Sequence, residues 1–330
     1  MMETLPISPL GPVKLAITMD DLLLFRGAPY PPRYTPMGIV QSMTEALASH
    51  RVGGAYAFSN TAPAEDDPEL LDVFGRWLEA GHHIGNHTHH HASLNWVDAK
   101  TYIGDIERAE SMIARWLDRA PLRTFRFCMD MWGDTAEKRD AVQDYLARAR
   151  YVGVPISIGF HDARYVTPYW RTLKRDDRDG AAWMRRGYIE SAVHELRLHA
   201  ANARAVFGRD PIHIWLIHGT PIAGDCLAEI LDRFEAANVM FVPLNEALAD
   251  PMNAMIPPRI SPEFIHQVEK WALVRGIPVD DRAPAFLDEA EKLHLAPGES
   301  SVDTWRVMTG FMAERLGARI APFPLADCQR

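Results

Sequence analysis

The chain has 330 residues, a formal net charge of −9 at pH 7 and 47% hydrophobic residues, which is enough apolar material for a large buried core. An acidic chain without a run of Lys and Arg is not expected to bind nucleic acid, and no apolar run approaches the roughly 18 residues of a membrane helix, so no membrane partner is expected. Three widely spaced cysteines, Cys128, Cys226 and Cys328, form no C-x-x-C motif, which argues against a disulfide framework or a thiolate zinc knuckle.

The first residues, "MMETLPISPLGPVK", carry an early acid and three prolines, and they lack the basic region that begins a signal peptide. The cysteine usage is compatible with a reducing compartment. A cytoplasmic location is therefore expected.

Short apolar segments then alternate with helical stretches of ten residues or more. The predicted strands are "VKLAIT" (13–18), "GGAYAFS" (53–59), "HHIGNH" (82–87), "RTFRFC" (123–128), "YVGVPISIGF" (151–160), "IHIWLIHG" (212–219) and "VMFVPL" (239–244). The predicted helices cover 36–50, 68–81, about 96–117, 135–149, about 181–207 and 224–237. This alternation is typical of parallel βαβ units, and hence of an open α/β sheet or a barrel.

The alternation stops near Asp250, where the proline-rich "DPMNAMIPPRISP" follows. Three further helical stretches are predicted: one with Ser261 as N-cap, Pro262 in its first turn and Gly276 as C-cap, one over 285–295, and one over 302–316. We interpret residues 1–250 as the catalytic unit. Residues 251–330 are interpreted as a helical extension without chemistry of its own, which covers that unit or forms a homo-oligomer contact.

Ionisable side chains lie at the ends of nearly all the predicted strands. In parallel α/β folds, ligands bind at the carboxyl ends of the strands, so these side chains are expected to meet. They are Asp20 and Asp21 after the first strand, His87 and His91 after the third, Arg126 in the fourth, Asp162 after the fifth, and His218 in the sixth.

His87 and His91 belong to the histidine-rich stretch "GHHIGNHTHHH" and are four residues apart. On a helical turn this spacing puts both imidazoles within reach of one metal ion. A carboxylate from Asp20 or Asp21 would complete a set of two histidines and one carboxylate, and the other aspartate could take a proton from water. The remaining histidines are interpreted as structural or supporting: His82, His83, His89 and His90 in the same stretch, and His194 and His199 on the long helix.

The stretches "LAITMDD", "GNHTHHH" and "IWLIHG" resemble the first, second and fifth motifs of the polysaccharide deacetylases, the NodB-like domain of carbohydrate esterase family 4. Those motifs usually read T-F-D-D, H-[ST]-x-x-H and L-x-H. The resemblance covers roughly residues 13–250 and implies a distorted (β/α) barrel that cleaves an N-acyl bond. It implies one divalent metal ion, usually zinc, with cobalt, nickel, manganese or iron as alternatives. The implied roles are Asp20 as catalytic base, Asp21, His87 and His91 as metal ligands, and His218 as general acid.

Two motifs depart from the family pattern. The third usually reads R-x-P-[FYW], whereas here it reads Arg126-Phe127-Cys128-Met129; Arg126 still fits the residue that orients the base. For the fourth motif, Asp162 is the best match to the acid that pairs with the catalytic histidine, although no D-W dipeptide is present. The apolar segment 127–132 is either core beneath the barrel rim or the wall of an apolar pocket that includes Trp132.

Two rival functions use the same residues. A non-haem iron oxygenase also needs two histidines and a carboxylate, but such sites usually occupy all-β folds. A catalytically dead metal- or carbohydrate-binding module is disfavoured because the acid, base and ligand positions are all filled. The expected substrate is a small N-acyl or imide compound, with a polymeric N-acetylated sugar as the alternative; the missing export signal favours the small compound.

Overall fold

The computed structural model describes residues 12–24, 26, 30–254, 265–280, 283–296 and 303–319, with the backbone alone for 303–308. Within these ranges, no helix combines the length and apolar character needed to cross a bilayer.

The described chain forms one parallel sheet of seven strands in the order β5-β4-β3-β2-β1-β6, and β7 pairs with the beginning of β1. The strands are Val13–Asp20 (β1), Tyr56–Ser59 (β2), His83–Asn86 (β3), Thr124–Phe125 (β4), Val152–Gly153 (β5), His213–His218 (β6) and Val239–Phe241 (β7). The central strand β1 is buried along almost its whole length, as expected when helices cover both faces of a parallel sheet.

The sheet closes on itself through the chain that follows β5. Ile158 forms a parallel bridge with Trp215 of β6. The Ile158 N–H donates to the Ile214 carbonyl (3.1 Å), and the Leu216 N–H donates to the Ile158 carbonyl (3.0 Å). This bridge joins the two ends of the strand order, so the expected distorted (β/α) barrel is confirmed.

Helices connect the strands and pack around the sheet. They are Pro36–Ser49 (α1), Pro63–Asp66 (α2), Leu71–Glu79 (α3), Ala99–Leu117 (α4), Ala136–Arg148 (α5), Val166–Lys174 (α6), Arg178–Phe207 (α7), Pro221–Ala236 (α8), Leu244–Ala249 (α9), Pro251–Ala254 (α10), Gln267–Arg275 (α11), Ala285–Lys292 (α12) and Asp303–Leu316 (α13).

Several elements differ from the sequence prediction. Helix α4 begins three residues later than expected, because the Asp98 side chain caps it by accepting from the Thr101 N–H (2.7 Å). Strands β4 and β5 pair over only two residues each, since the chain beyond them turns into the loops of the barrel rim. Helix α6 was not predicted, because Pro168 interrupts its short apolar pattern.

The C-terminal helices pack on the barrel. Trp271 of α11 contacts Phe207, with ring centroids 6.3 Å apart, and Phe286 of α12 lies against Trp183 at 4.3 Å. Gly276 ends α11 with a left-handed φ of 66°, as predicted. Ser261 and Pro262 lie outside the described residues, and the division of the chain at residue 250 stays a prediction.

Candidate active site

The two aspartates lie where β1 ends. Asp20 is the last residue of β1, and Asp21 adopts a left-handed φ of 49° while its N–H donates to the Phe58 carbonyl (2.8 Å). The Gly219 N–H donates to the Asp20 carbonyl (2.9 Å). A Cβ atom at Gly219 would lie 2.6 Å from the Asp21 carbonyl oxygen, so this close approach of β6 to β1 requires glycine.

Arg126 fixes the orientation of Asp20. The guanidinium is 1% exposed; its Nη1 donates to Asp20 Oδ1 (2.6 Å) and its Nη2 to Thr18 Oγ1 (2.8 Å). Its Nε donates to the Val154 carbonyl (3.3 Å), and its carbon Cζ lies 4.2 Å from the centroid of the Phe58 ring. These contacts hold the guanidinium in place, so the predicted contact between Arg126 and Asp20 is present and well anchored.

His87 and His91 come together in a tight irregular loop after β3. The premise of a helical turn is wrong, because Thr88 (φ 61°) and His91 (φ 57°) both lie in the left-handed region. Thr88 shapes the loop: its N–H donates to Asn86 Oδ1 (2.9 Å), and its Oγ1 accepts from the Ala92 N–H (2.9 Å). The two imidazole centroids lie 5.0 Å apart. The expected proximity of the two rings is therefore present, although the backbone between them is not helical.

The donor atoms of this pair fit a divalent cation. His87 Nδ1 donates to the Arg126 carbonyl (2.9 Å), which leaves the lone pair on Nε2. That atom lies 3.7 Å from Asp20 Oδ2, and His91 Nε2 lies 3.4 Å from Asp21 Oδ2. Neither His87 Nε2 nor His91 Nδ1 hydrogen-bonds to any residue in the described part of the chain. Buried polar nitrogens normally have partners, and imidazole with carboxylate is a usual donor set for zinc.

Burial and nearby charges shift the pKa values of His91 and Asp21 in a direction that suits cation binding. Burial, which outweighs the nearby Asp21 carboxylate, lowers the pKa of His91 to about 4, so its imidazole is neutral at neutral pH. Burial alone would raise the pKa of Asp21, but His91, His87 and His218 together lower it. The site therefore offers the neutral imidazole of His91 beside the ionised carboxylate of Asp21.

Asn60 belongs to the site and was missed in the sequence. Its Nδ2 donates to Asp21 Oδ1 (2.8 Å) and to the Leu23 carbonyl (3.2 Å), which orients the carboxylate towards His91. Asn60 directly follows β2, so the strand-end rule would have found it if it had included all polar side chains and not only ionisable ones.

His218 and Asp162 form a second polar pair at the end of β6. His218 Nδ1 donates to Asp162 Oδ1 (2.8 Å), and the His218 N–H donates to Asp162 Oδ2 (2.7 Å). Burial opposes protonation of the imidazole, but the carboxylates of Asp162, Asp21 and Asp20 raise its pKa to about 9. At 19% exposure, this side chain is the most accessible of the predicted site residues. The predicted pairing is therefore present without a D-W dipeptide.

The other histidines of the histidine-rich stretch support the loop. His82 Nδ1 accepts from the Ala55 N–H (3.2 Å), and His90 Nδ1 donates to Asp105 Oδ1 (2.6 Å). His89 hydrogen-bonds to Thr61 (2.7 Å) and lies 3.2 Å from Glu65. Far from this loop, His199 lies between Glu195 and Glu269.

Segment 127–132 is mostly buried. Trp96, Cys128, Met129 and Met131 cluster with Met312 of α13, which favours the core interpretation. Trp132 is partly exposed, and its Nε1 donates to Asp130 Oδ1 (2.6 Å). The Cys128 sulfur faces the histidine pair: it and one ring nitrogen each of His87 and His91 lie within 4.8 Å of one another.

Residues 11–146 match the family model described as polysaccharide deacetylase. No curated protein matches the chain. Similar solved structures include a CE4 family pseudoenzyme from Bacillus anthracis (12% identity, 74% of this chain and 70% of that chain, TM-score 0.48). Another is the chitin deacetylase of Colletotrichum lindemuthianum (17% identity, 74% of this chain and 94% of that chain, TM-score 0.47). A third is a family 4 carbohydrate esterase from Streptomyces lividans in complex with acetate (16% identity, 72% of this chain and 97% of that chain, TM-score 0.43). These TM-scores lie below 0.5, so the likeness to the family rests on the sequence match alone. That match covers fewer than half of the residues, so the chain is similar to the polysaccharide deacetylase family over residues 11–146.

Proposed function

We propose that this protein is a metal-dependent hydrolase that cleaves the C–N bond of an N-acyl compound, as a deacetylase does. One observation carries the proposal: two polar pairs suited to proton transfer, Asp20 with Arg126 and Asp162 with His218, share the barrel mouth with the His87 and His91 pair. Amide hydrolysis needs one group to take a proton and another to give one, and both are in place.

Asp21, His87 and His91 would hold the ion, for which zinc is the first candidate. The ion supplies Lewis acidity at the acyl carbonyl and lowers the pKa of water to about 7. The chain's own part is to hold these donors in a fixed orientation. Asn60 does this for Asp21 (2.8 Å), and the Arg126 carbonyl does it for His87 (2.9 Å).

Asp20 is the proposed general base. Its Oδ1 is occupied by Arg126, so Oδ2, which faces His87 at 3.7 Å, is the oxygen free to accept a proton from the attacking water. The fixed guanidinium prevents the carboxylate from rotating away. This is the positioning that general base catalysis needs.

His218 is the proposed general acid. With a pKa of about 9 it carries its proton at neutral pH, and Asp162 accepts from Nδ1–H, which leaves Nε2–H as the proton to be donated. The departing amine can take this proton, after which the imidazole is neutral. Asp162 acts through His218 and is a positioning residue.

The test separates metal binding from proton transfer. We expect Asp20→Asn and His218→Ala to keep the metal, measured by elemental analysis, and to lose on the order of 10²–10⁴ in rate on an N-acetylated substrate. His91→Ala should lose metal and activity together, whereas His194→Ala on the exposed face of α7 should change neither. A fully active, metal-free His91→Ala protein would contradict the proposal.

The proposed substrate is a small N-acyl or cyclic imide compound. The support is that the C-terminal helices touch three of the loops that surround the barrel mouth. Arg26, beyond β1, lies over the Phe311 ring (5.7 Å), and Lys270 reaches the Asp130 carbonyl (2.7 Å) in the loop after β4. Arg164, close to Asp162, donates to Glu291 (2.7 Å). Helices held against these loops would leave less room for a polymer than an open groove would.

A further inference from the structure

Cys128 stands where the family motif usually has proline, and the predicted function gave it no role. It follows β4 in a short turn in which Met129 takes a left-handed φ of 55°. The side chain is fully buried, and its sulfur lies close to the histidine loop: it is 3.2 Å from the His87 carbonyl oxygen and 3.5 Å from Thr88 Oγ1. The turn therefore places a thiol against the histidine pair.

The thiol and the two imidazoles form a compact set of donors. The Cys128 sulfur and one nitrogen from each of His87 and His91 lie within 4.8 Å of one another, and all three residues are buried. Among the described residues, the other set this compact is His50, Asp232 and Glu235, whose two carboxylates are exposed at the surface. The buried set includes the His87 and His91 nitrogens that have no hydrogen-bond partner in the described part of the chain, which favours it as the site that receives an ion.

We propose that Cys128 binds the metal ion through sulfur, together with His87 and His91. The inference uses the metal site of the proposed function, but it concerns which atoms bind the ion and not the reaction. On binding, the S–H proton passes to solvent and a sulfur–metal bond replaces the S–H bond. Thr88 Oγ1, 3.5 Å away, is placed to donate to the resulting thiolate.

Sulfur in the donor set changes which ions the site prefers. Thiolate and imidazole favour zinc and related ions, whereas a site of carboxylates, carbonyls and water suits magnesium or manganese. Zinc usually takes four ligands and can expand to five. The set of Cys128, His87, His91 and Asp21 would thus make four protein ligands, with water entering as a fifth or in place of one of them.

X-ray absorption fine structure on the full-length, zinc-loaded protein tests this directly. Zinc–sulfur distances are about 2.3 Å, whereas zinc–nitrogen and zinc–oxygen distances are about 2.0–2.2 Å, so the two kinds of scatterer are resolved. We expect one sulfur scatterer in the wild type. Cys128→Ser should lose it while zinc stays bound, and Cys226→Ser, which alters a buried cysteine on α8, should keep it.

A wild-type spectrum that fits only nitrogen and oxygen scatterers, with zinc bound in equal amount to protein, would overturn the proposal. This result needs no variant, so poor folding of Cys128→Ser does not weaken it. The X-ray absorption measurement also does not depend on catalytic turnover. A sulfur scatterer in a protein that hydrolyses no N-acyl substrate supports the Cys128 inference and contradicts the proposed function, and activity without sulfur does the reverse.

Discussion

At the scale of single residues, the pKa values of the site histidines depend on the balance between burial and nearby carboxylates. Burial alone would keep the His218 imidazole neutral, yet the carboxylate of Asp162, 2.8 Å away, reverses that preference. His91 is more deeply buried, and there burial outweighs the Asp21 carboxylate, so the imidazole stays neutral. Two histidines in one site thus receive opposite protonation states, which suits one to donate a proton and the other to bind a cation.

This contrast predicts how activity depends on pH. In the wild type, kcat should fall as pH rises through about 9, because His218 then loses the proton that it must donate. In Asp162→Asn the carboxylate that raises the pKa is gone while burial remains, so the fall should move below pH 9. The variant should therefore retain a larger share of the wild-type rate at pH 6 than at pH 8.

The measurements are kcat against pH and the titration of His218 by NMR of labelled histidines. His90→Gln, which changes a histidine whose carboxylate partner is Asp105, is a control that should leave the alkaline fall in place. If kcat fell at the same alkaline pH in the wild type and in Asp162→Asn, the assigned pair of Asp162 and His218 would be contradicted.

At the scale of elements, α11 is joined to the barrel rim by a buried ion pair. Lys270 Nζ lies 3.0 Å from Asp130 Oδ1 and donates to the Asp130 carbonyl (2.7 Å), and both residues are at most 5% exposed. Burial would raise the pKa of Asp130, but Lys270 and His266 together lower it. Each charge is therefore tolerated because the other is present.

Removing one partner should be costly. We expect Lys270→Met to lower the free energy of unfolding by about 3–5 kcal/mol, because Asp130 is left buried without its cation. Replacing both partners, as in Lys270→Met with Asp130→Asn, should recover much of that loss. Lys292→Met on α12, an exposed lysine, should change stability by less than about 0.5 kcal/mol.

Urea unfolding of the four proteins measures these differences. If Lys270→Met were as stable as the Lys292→Met control, the pair would contribute nothing to the docking of α11.

The elements were largely predictable from the sequence, and their exceptions have physical reasons. The apolar, β-branched pattern of β1 and β6 predicted strands because both are buried in a parallel sheet. The irregular path from Thr88 to His91 was not predictable, since two left-handed residues without glycine leave no sequence signal. Nor was the contact between Asp130 and Lys270, which are 140 residues apart and obey no local spacing rule. Strand-end placement predicted the site residues without predicting their contacts.

At the scale of the whole molecule, the C-terminal helices and the barrel mouth together bear on substrate size. We expect small N-acyl or cyclic imide compounds to be hydrolysed with a higher kcat/KM than chitin oligomers, because the C-terminal helices contact three of the loops around the proposed site. For the same reason, kcat/KM should not increase with oligomer length.

A parallel assay of small amides, cyclic imides and chitin oligomers of increasing length checks this, with Asp20→Asn as the background control. A steady rise of kcat/KM with oligomer length would reject the small-substrate proposal and favour the polymer.

The strand order also has a consequence for how the chain is made. Strand β1 leaves the ribosome early, but the strands that pair with its far edge, β6 and β7, come much later: Thr18 and Trp215, joined by a hydrogen bond, are 197 residues apart. At about 5–20 residues per second, that edge waits on the order of 10–40 s for its partner. During this time an apolar strand exposes unpaired N–H and C=O groups, which is the condition under which chains associate wrongly. Synthesis of this protein therefore depends on keeping nascent β1 apart from other chains until β6 has emerged.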